Sequence, residues 1–243
     1  MPAATRITAT AMNTITGMST DPPALLRLLA WLSPAFPTGG FAWSHGIEWA
    51  VEAGDVTDAA SLRAWVTDVL RHGSGRNDAI LLRQAHRAAR VGDLDRLAEV
   101  AELALAAQPA RERRAETTGQ GNAFALAAAA WDATPLPDLA ARVGDIAYPV
   151  AVGALAGAQG VAEDDAALGL LQAFAANLIS AAVRLIPLGQ SAGLAVLAAL
   201  APVLVEVAAA TRDAGLDDLG GAAFRSDLAA MRHETQYTRL FRS

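Results

Sequence analysis

The chain has 243 residues, a formal charge of −6, no cysteine, and arginine as its sole strongly basic residue type. Without cysteine there are no disulfides, zinc-thiolate sites or thiol nucleophiles, and without lysine there is neither a Walker A phosphate loop nor Schiff-base chemistry. The acidic balance argues against a nucleic-acid partner, and an alanine-rich chain poor in aromatic and β-branched runs argues for an all-α fold.

Met1–Thr20 is rich in Ala and Thr and lacks a long apolar stretch, so it reads as a disordered arm, or as a start codon placed too far upstream, and not as a secretory signal. Leu25, Leu26, Leu28, Leu29 and Leu32 form a short apolar helix that stops at Ser33-Pro34, because the residue before proline is pushed out of the α region. Ser33–Gly40, with Pro34, Pro37, Gly39 and Gly40, is a rigid turn. A helix is expected to open at Phe41 and to carry Trp43, Ser44, His45, Gly46, Ile47, Glu48 and Trp49. Leu62, Trp65, Val66, Val69 and Leu70 recur at helical spacing, and His72–Gly75 reads as the stop and loop that follows. The next helix is expected near Asn77-Asp78, with Leu81, Leu82, Ala85 and Ala89 facing inward and Arg83, Arg87 and Arg90 forming a solvated outer stripe.

Leu94, Leu97, Ala101 and Leu105 mark another amphipathic helix, stopped before Pro109. Arg111–Ala133 looks helical with a weak point at Gly119-Gln120-Gly121, and Thr134–Pro137 is a break. Leu139–Gly160 is expected as one helix kinked at Pro149; its Gly153, Ala154, Gly157 and Ala158 allow close backbone approach in a core or a dimer seam. Glu163-Asp164-Asp165 places acid at the start of the next helix, as the macrodipole favours.

Phe174–Gln190 is apolar on every face, which predicts the buried central helix of the fold. Its lone charge, Arg184, requires a carboxylate or carbonyl partner; Pro187 ends the run, and Gly189 and Gln190 reverse the chain. Ser191–Ala214 is a second apolar helix expected to pair antiparallel with it. Leu194–Val205 is too short to span a bilayer and is interrupted by Pro202, so the reading is a soluble, cytoplasmic protein with no membrane partner. The tail Phe224–Ser243 sets Arg225, Arg232, Arg239 and Arg242 among Leu228, Met231, Tyr237, Leu240 and Phe241, the composition of an interface core. No two of His45, His72, His86 and His233 stand at a metal-ligand spacing, and Glu48 near His45 reads as a surface or cap contact. Composition and spacing alone describe a helical domain without an evident active site.

Three stretches go further. Ser33-Pro34-Ala35-Phe36-Pro37-Thr38-Gly39-Gly40-Phe41-Ala42-Trp43-Ser44-His45-Gly46-Ile47-Glu48 resembles the N-terminal signature of the UreF family of urease accessory proteins. Ser180–Gln190, with Arg184, Pro187, Gly189 and Gln190, resembles that family's central motif, and Met231–Ser243 is similar to its C-terminal motif. The resemblance implies one all-α, single-domain bundle of about ten helices around a buried central helix, over residues 21–223, and a partner-binding tail, 224–243. It implies a homodimeric adaptor, not an enzyme, without a cofactor and with nickel at most in transit. Its implied partners are UreD (also called UreH), the GTPase UreG and apo-urease, with the partner-binding residues mapping onto Arg232, His233, Glu234, Tyr237, Arg239, Phe241 and Arg242. Whether such an adaptor supplies an arginine to GTP hydrolysis or holds hydrolysis back is left open, as is an internal path for nickel. The competing reading is a small-molecule-binding helical enzyme, which would need a deep apolar pocket with convergent titratable groups.

Overall fold

A computed structural model describes residues 21–243; the expectation for 1–20 lies outside the described residues. Eleven α-helices follow one another, with three short 3-10 turns and no strand among the described residues. They are α1 (Pro22–Trp31), α2 (Ile47–Glu52), α3 (Ala59–His72), α4 (Ser74–Arg90), α5 (Leu94–Ala106), α6 (Arg111–Ala127), α7 (Leu136–Val143), α8 (Tyr148–Ala158), α9 (Glu163–Leu185), α10 (Gln190–Ala210) and α11 (Phe224–His233). Local chemistry explains several starts. Asp21 accepts from the Ala24 amide and Asp93 from the Arg96 amide, while Asp58 and Ser61 form a reciprocal capping box at α3.

The apolar side chains form two cores. One gathers α1, α4, α5, α7 and α8 with Phe124 of α6; the other gathers α2, α3 and α10. Both cores share α9, which gives Ala166, Ala167 and Leu170 to the first and Leu171, Leu178 and Ile179 to the second. The most enclosed helix is α8, where every residue from Pro149 to Gly157 is buried. The close approach expected of its glycines is made inside the chain: a methyl on Gly153 would stand 2.3 Å from the Leu82 carbonyl oxygen, and one on Gly157 2.3 Å from that of His86. α8 therefore lies backbone to backbone against α4.

Several boundaries and faces differ from expectation. The second helix begins at Ile47, not Phe41, because Trp43 is extended ahead of it and His45 and Gly46 both adopt positive φ, at 60° and 79°. The segment 73–75 is no loop, since α4 starts at Ser74. The presumed weak point near Gly121 is a place of close approach, where a methyl would lie 2.0 Å from the Ile146 carbonyl oxygen. Residues 139–160 form two helices, and Pro149 sits in the first turn of α8, where its missing amide hydrogen costs nothing. Pro202 does not interrupt α10, which continues for 21 residues; by length and composition alone both α9 and α10 could cross a membrane. Half of α9's most apolar window and a third of α10's is buried within the chain.

The outer arginine stripe also needs correction. Arg83 is fully buried, with its guanidinium on Glu163 Oε1 at 2.7 Å, Asp164 Oδ1 at 2.8 Å and the Ala208 carbonyl at 2.7 Å. Arg87 and Arg212 close the cluster on Glu163 and Asp164, and together these arginines hold both carboxyls below the usual range against the upward push of burial. The acidic start of α9 is thus an ion-pair hub joining α4, α9 and the end of α10, beyond its effect on the helix dipole.

Candidate functional site

The C-terminal tail folds back on the chain and meets the segment 41–48. α11 can lie there because Gly46 has no side chain: a methyl would come within 2.8 Å of the Ala230 backbone nitrogen, and φ of 79° favours glycine in any case. Ser44 is wholly buried; its amide donates to the Ser243 carbonyl at 2.9 Å and its hydroxyl donates to the same oxygen. The Arg242 amide donates to the Ala42 carbonyl at 2.9 Å.

Glu48 organises the junction. Its carboxylate accepts from the Leu240 amide at 2.6 Å and the Phe241 amide at 3.0 Å, and it faces His233 Nε2 at 2.9 Å. The other nitrogen of His233 faces Glu112 Oε2 at 2.7 Å, so this ring lies between two carboxylates, which requires two N–H donors or a proton on one acid. Glu112 also accepts from Arg239 at 2.8 Å. Arg184 is only partly buried and finds its carbonyl partners at Phe41, 2.9 Å, and Ser180, 3.2 Å. Its guanidinium lies 3.6 Å from the centroid of the Phe41 ring and 4.2 Å from that of Phe241. The three stretches singled out in the sequence, far apart along the chain, therefore converge on one place.

Convergence is not complete. His233 and Phe241 are buried at the junction, and Arg239 and Arg242 lie over it, the latter 5.3 Å above the Trp43 ring. Glu234 accepts from the Arg111 amide at 3.0 Å, a carboxylate at the start of α6. Arg232 and Tyr237 point to solvent. Pro34, Pro37, Gly39 and Gly40 line a cavity beside the junction, whereas Pro187, Gly189 and Gln190 form the α9–α10 turn.

Glu112, Arg113 and Glu116 on α6, with Ser74 and Asp78 on α4, were missed in the sequence. The available signal was the poverty of apolar positions along Arg111–Gly121, which leaves that helix a polar face to bury. Glu116 is pushed up by burial, with Arg113, Ser243 and His233 opposing. His45 does not pair with Glu48; its Nδ1 faces Glu116 at 3.3 Å and its Nε2 faces the Ser74 hydroxyl at 2.6 Å. Ser74, His45 and Glu116 thus stand in the order of a hydroxyl–imidazole–carboxylate relay. The adjoining cavity is lined by His45 and Glu116 but not by Ser74. Among the described residues no group of three or more His, Asp or Glu is arranged to hold a metal ion.

Comparison with known proteins agrees with the geometry. The UreF family model matches residues 56–201. Curated relatives include the urease accessory protein UreF of Bradyrhizobium sp. strain BTAi1, 57% identical over 92% of this chain and 93% of the relative. The UreF of Methylobacterium sp. strain 4-46 is 54% identical over 90% of this chain and 88% of its own length, and that of Methylorubrum populi is 53% identical over 90% and 98%. The chain belongs to the UreF family of urease accessory proteins.

Proposed function

We propose that the chain is a non-catalytic adaptor of urease maturation, which binds a UreD/UreH-type protein and, with it, recruits the GTPase UreG to apo-urease for nickel insertion. It acts in the cytoplasm, as a homodimer, with nickel as cargo and not as a resident cofactor. The observation that carries this reading is the outer face of α11 and the tail. Phe224, Leu228 and Met231 recur at helical spacing and are exposed, as are Arg232, Tyr237 and Leu240, while His233 and Phe241 beside them are anchored. An apolar stripe rimmed by arginine on a rigid base has the composition of a protein-binding surface. Leu194 and Val205 of α10, exposed on the face away from its buried Val196, Leu200, Leu204 and Val207, are assigned to the second copy.

Co-expression with UreD- and UreG-type proteins, followed by size-exclusion chromatography and nickel-dependent urease activation, tests the reading. The double variant Leu228→Glu, Met231→Glu is expected to lose the UreD-type partner while keeping its helicity. Full complex formation by that variant, or turnover of a substrate by the purified chain alone, would overturn the proposal. Val205→Glu is expected to shift the isolated protein to a monomer in light scattering.

A further inference from the structure

His233 is wholly buried at the end of α11, and a carboxylate faces each of its ring nitrogens. Glu48 of α2 stands 2.9 Å from Nε2 and Glu112 of α6 stands 2.7 Å from Nδ1, both acids buried. Each acid also serves the tail: Glu48 accepts from the Leu240 and Phe241 amides, and Glu112 accepts from Arg239. The other charged groups on the helices packed against α11 are engaged elsewhere. Glu52 of α2 accepts from the Gln236 side-chain amide. Glu116 of α6 faces His45, accepts from the Ser243 hydroxyl and acts on His233 only through space. Arg113 of α6 and Asp227 of α11 attract each other.

Two hydrogen bonds to the ring need two protons. A neutral imidazole carries one, which leaves its other nitrogen a lone pair aimed at a carboxylate. The second proton, on the ring or on the facing oxygen, comes from solvent. With residues 224–243 lifted as a unit, the ring and both acids return to water, and that proton is no longer required. Above about pH 7 an imidazole in water is mostly neutral and a carboxylate is ionised. The closed arrangement then holds one proton more than the open one.

We propose that docking of α11 and the tail is proton-linked: Glu48, His233 and Glu112 take up one proton as the segment closes, so rising pH releases it. The exposed stripe of Phe224, Leu228 and Met231 is held in place only while that proton is bound. The inference does not rest on the adaptor reading, and its test uses no partner protein. Linkage of one proton lowers the closing constant by up to about tenfold per pH unit above about pH 7. α11 has ten residues, too few to stay helical once released, so its amides report the release. Amide hydrogen exchange of the full chain from about pH 6.5 to 8.5, expressed as protection over the unstructured rate at each pH, reads that constant. Protection in α11 is expected to fall as pH rises. Glu112→Gln can turn its carbonyl to Arg239 and its NH₂ to Nδ1, which lets a neutral ring satisfy both neighbours. Its α11 protection is expected to stay nearly level and to exceed that of the native chain at the alkaline end. Glu116, which burial also pushes up, is common to both chains and drops out of the comparison. Arg239→Met, which leaves the proton count at the ring unchanged, is expected to lower protection at every pH and to keep the native slope. A level profile in the native chain, a native slope in Glu112→Gln, or a level profile in Arg239→Met would overturn the proposal. Should Glu112→Gln fail to fold by circular dichroism, the native and Arg239→Met profiles decide it.

Discussion

Arg83 and Arg113 are both buried, the first against the acid-rich start of α9 and the second inside a polar seam. Arg83 meets two carboxylates and a carbonyl, and behind it α4 is locked against α8 with no room for a methyl group. Arg113 has a buried guanidinium nitrogen with no acceptor, burial lowers its pKa to about 10, and the side chain lines the cavity. The first region is saturated, and its job is to hold shape. The second carries unmet hydrogen-bonding capacity and a docked tail. Side-chain charge and burial are alike in the two regions; what differs is whether the fold itself completes the hydrogen bonds.

That contrast can be broken in order of expected effect. Gly153→Ala would normally favour a helix by up to about 1 kcal/mol. Here the added methyl meets the Leu82 carbonyl oxygen at 2.3 Å, which α4 can relieve only by moving as a unit. The variant is expected to lose upward of about 3 kcal/mol in urea denaturation, since overpacking against backbone exceeds the propensity gain. Arg83→Met is expected to cost about 2–3 kcal/mol, as the Ala208 carbonyl and the hub of carboxylates lose their shared donor. Arg113→Met, equally buried, is expected to change stability by less than about 1 kcal/mol, because it removes an incompletely paired charge. Equal losses for the two arginine variants would erase the distinction between the regions.

Glu48→Gln tests the junction more gently. The amide cannot accept from His233, Leu240 and Phe241 together, and a loss of about 1–2 kcal/mol confined to the tail is expected. Amide hydrogen exchange should quicken at Leu240 and Phe241 while α4 and α8 stay protected. The pH dependence of stability tests the polar seam separately. Asp78 titrates near 3.8 when unfolded and about 8 when folded, so the unfolded chain holds fewer protons between those values. Its contribution is therefore fully present below about pH 4, is lost as pH rises towards 8, and stays lost above. Asp78→Asn should flatten the fall in melting temperature from pH 5 to 8; an unchanged slope would mean that Asp78 is solvated.

Helix positions were mostly legible, because apolar periodicity in α3 and α5 reflects burial directly; the runs in α9 and α10, apolar on every face, marked helices but not a buried centre, since Phe174, Val183, Leu185 and Leu188 are only partly buried. The three motifs were legible as strings, but their meeting was not, since it depends on Gly46 admitting α11 and on Glu48 capturing tail amides far along the chain. Arg83 was assigned to solvent on residue type alone. Its register with buried Ala79 and His86 and the clustered acids at 163–165 jointly point inward. The polar face of α6 escaped because a pattern of apolar residues cannot report a seam built from charges. The junction at 45–47 escaped because His45 takes a backbone conformation that non-glycine residues rarely adopt.

Trp43 is 7% exposed, packed edge-on to Gly119 and covered by Arg242. Lifting the tail would wet this indole and remove the cation above it, which should move its fluorescence to longer wavelength. With Trp31, Trp49, Trp65 and Trp131 replaced by phenylalanine, the residual emission would let tail docking be followed in real time, without an attached dye.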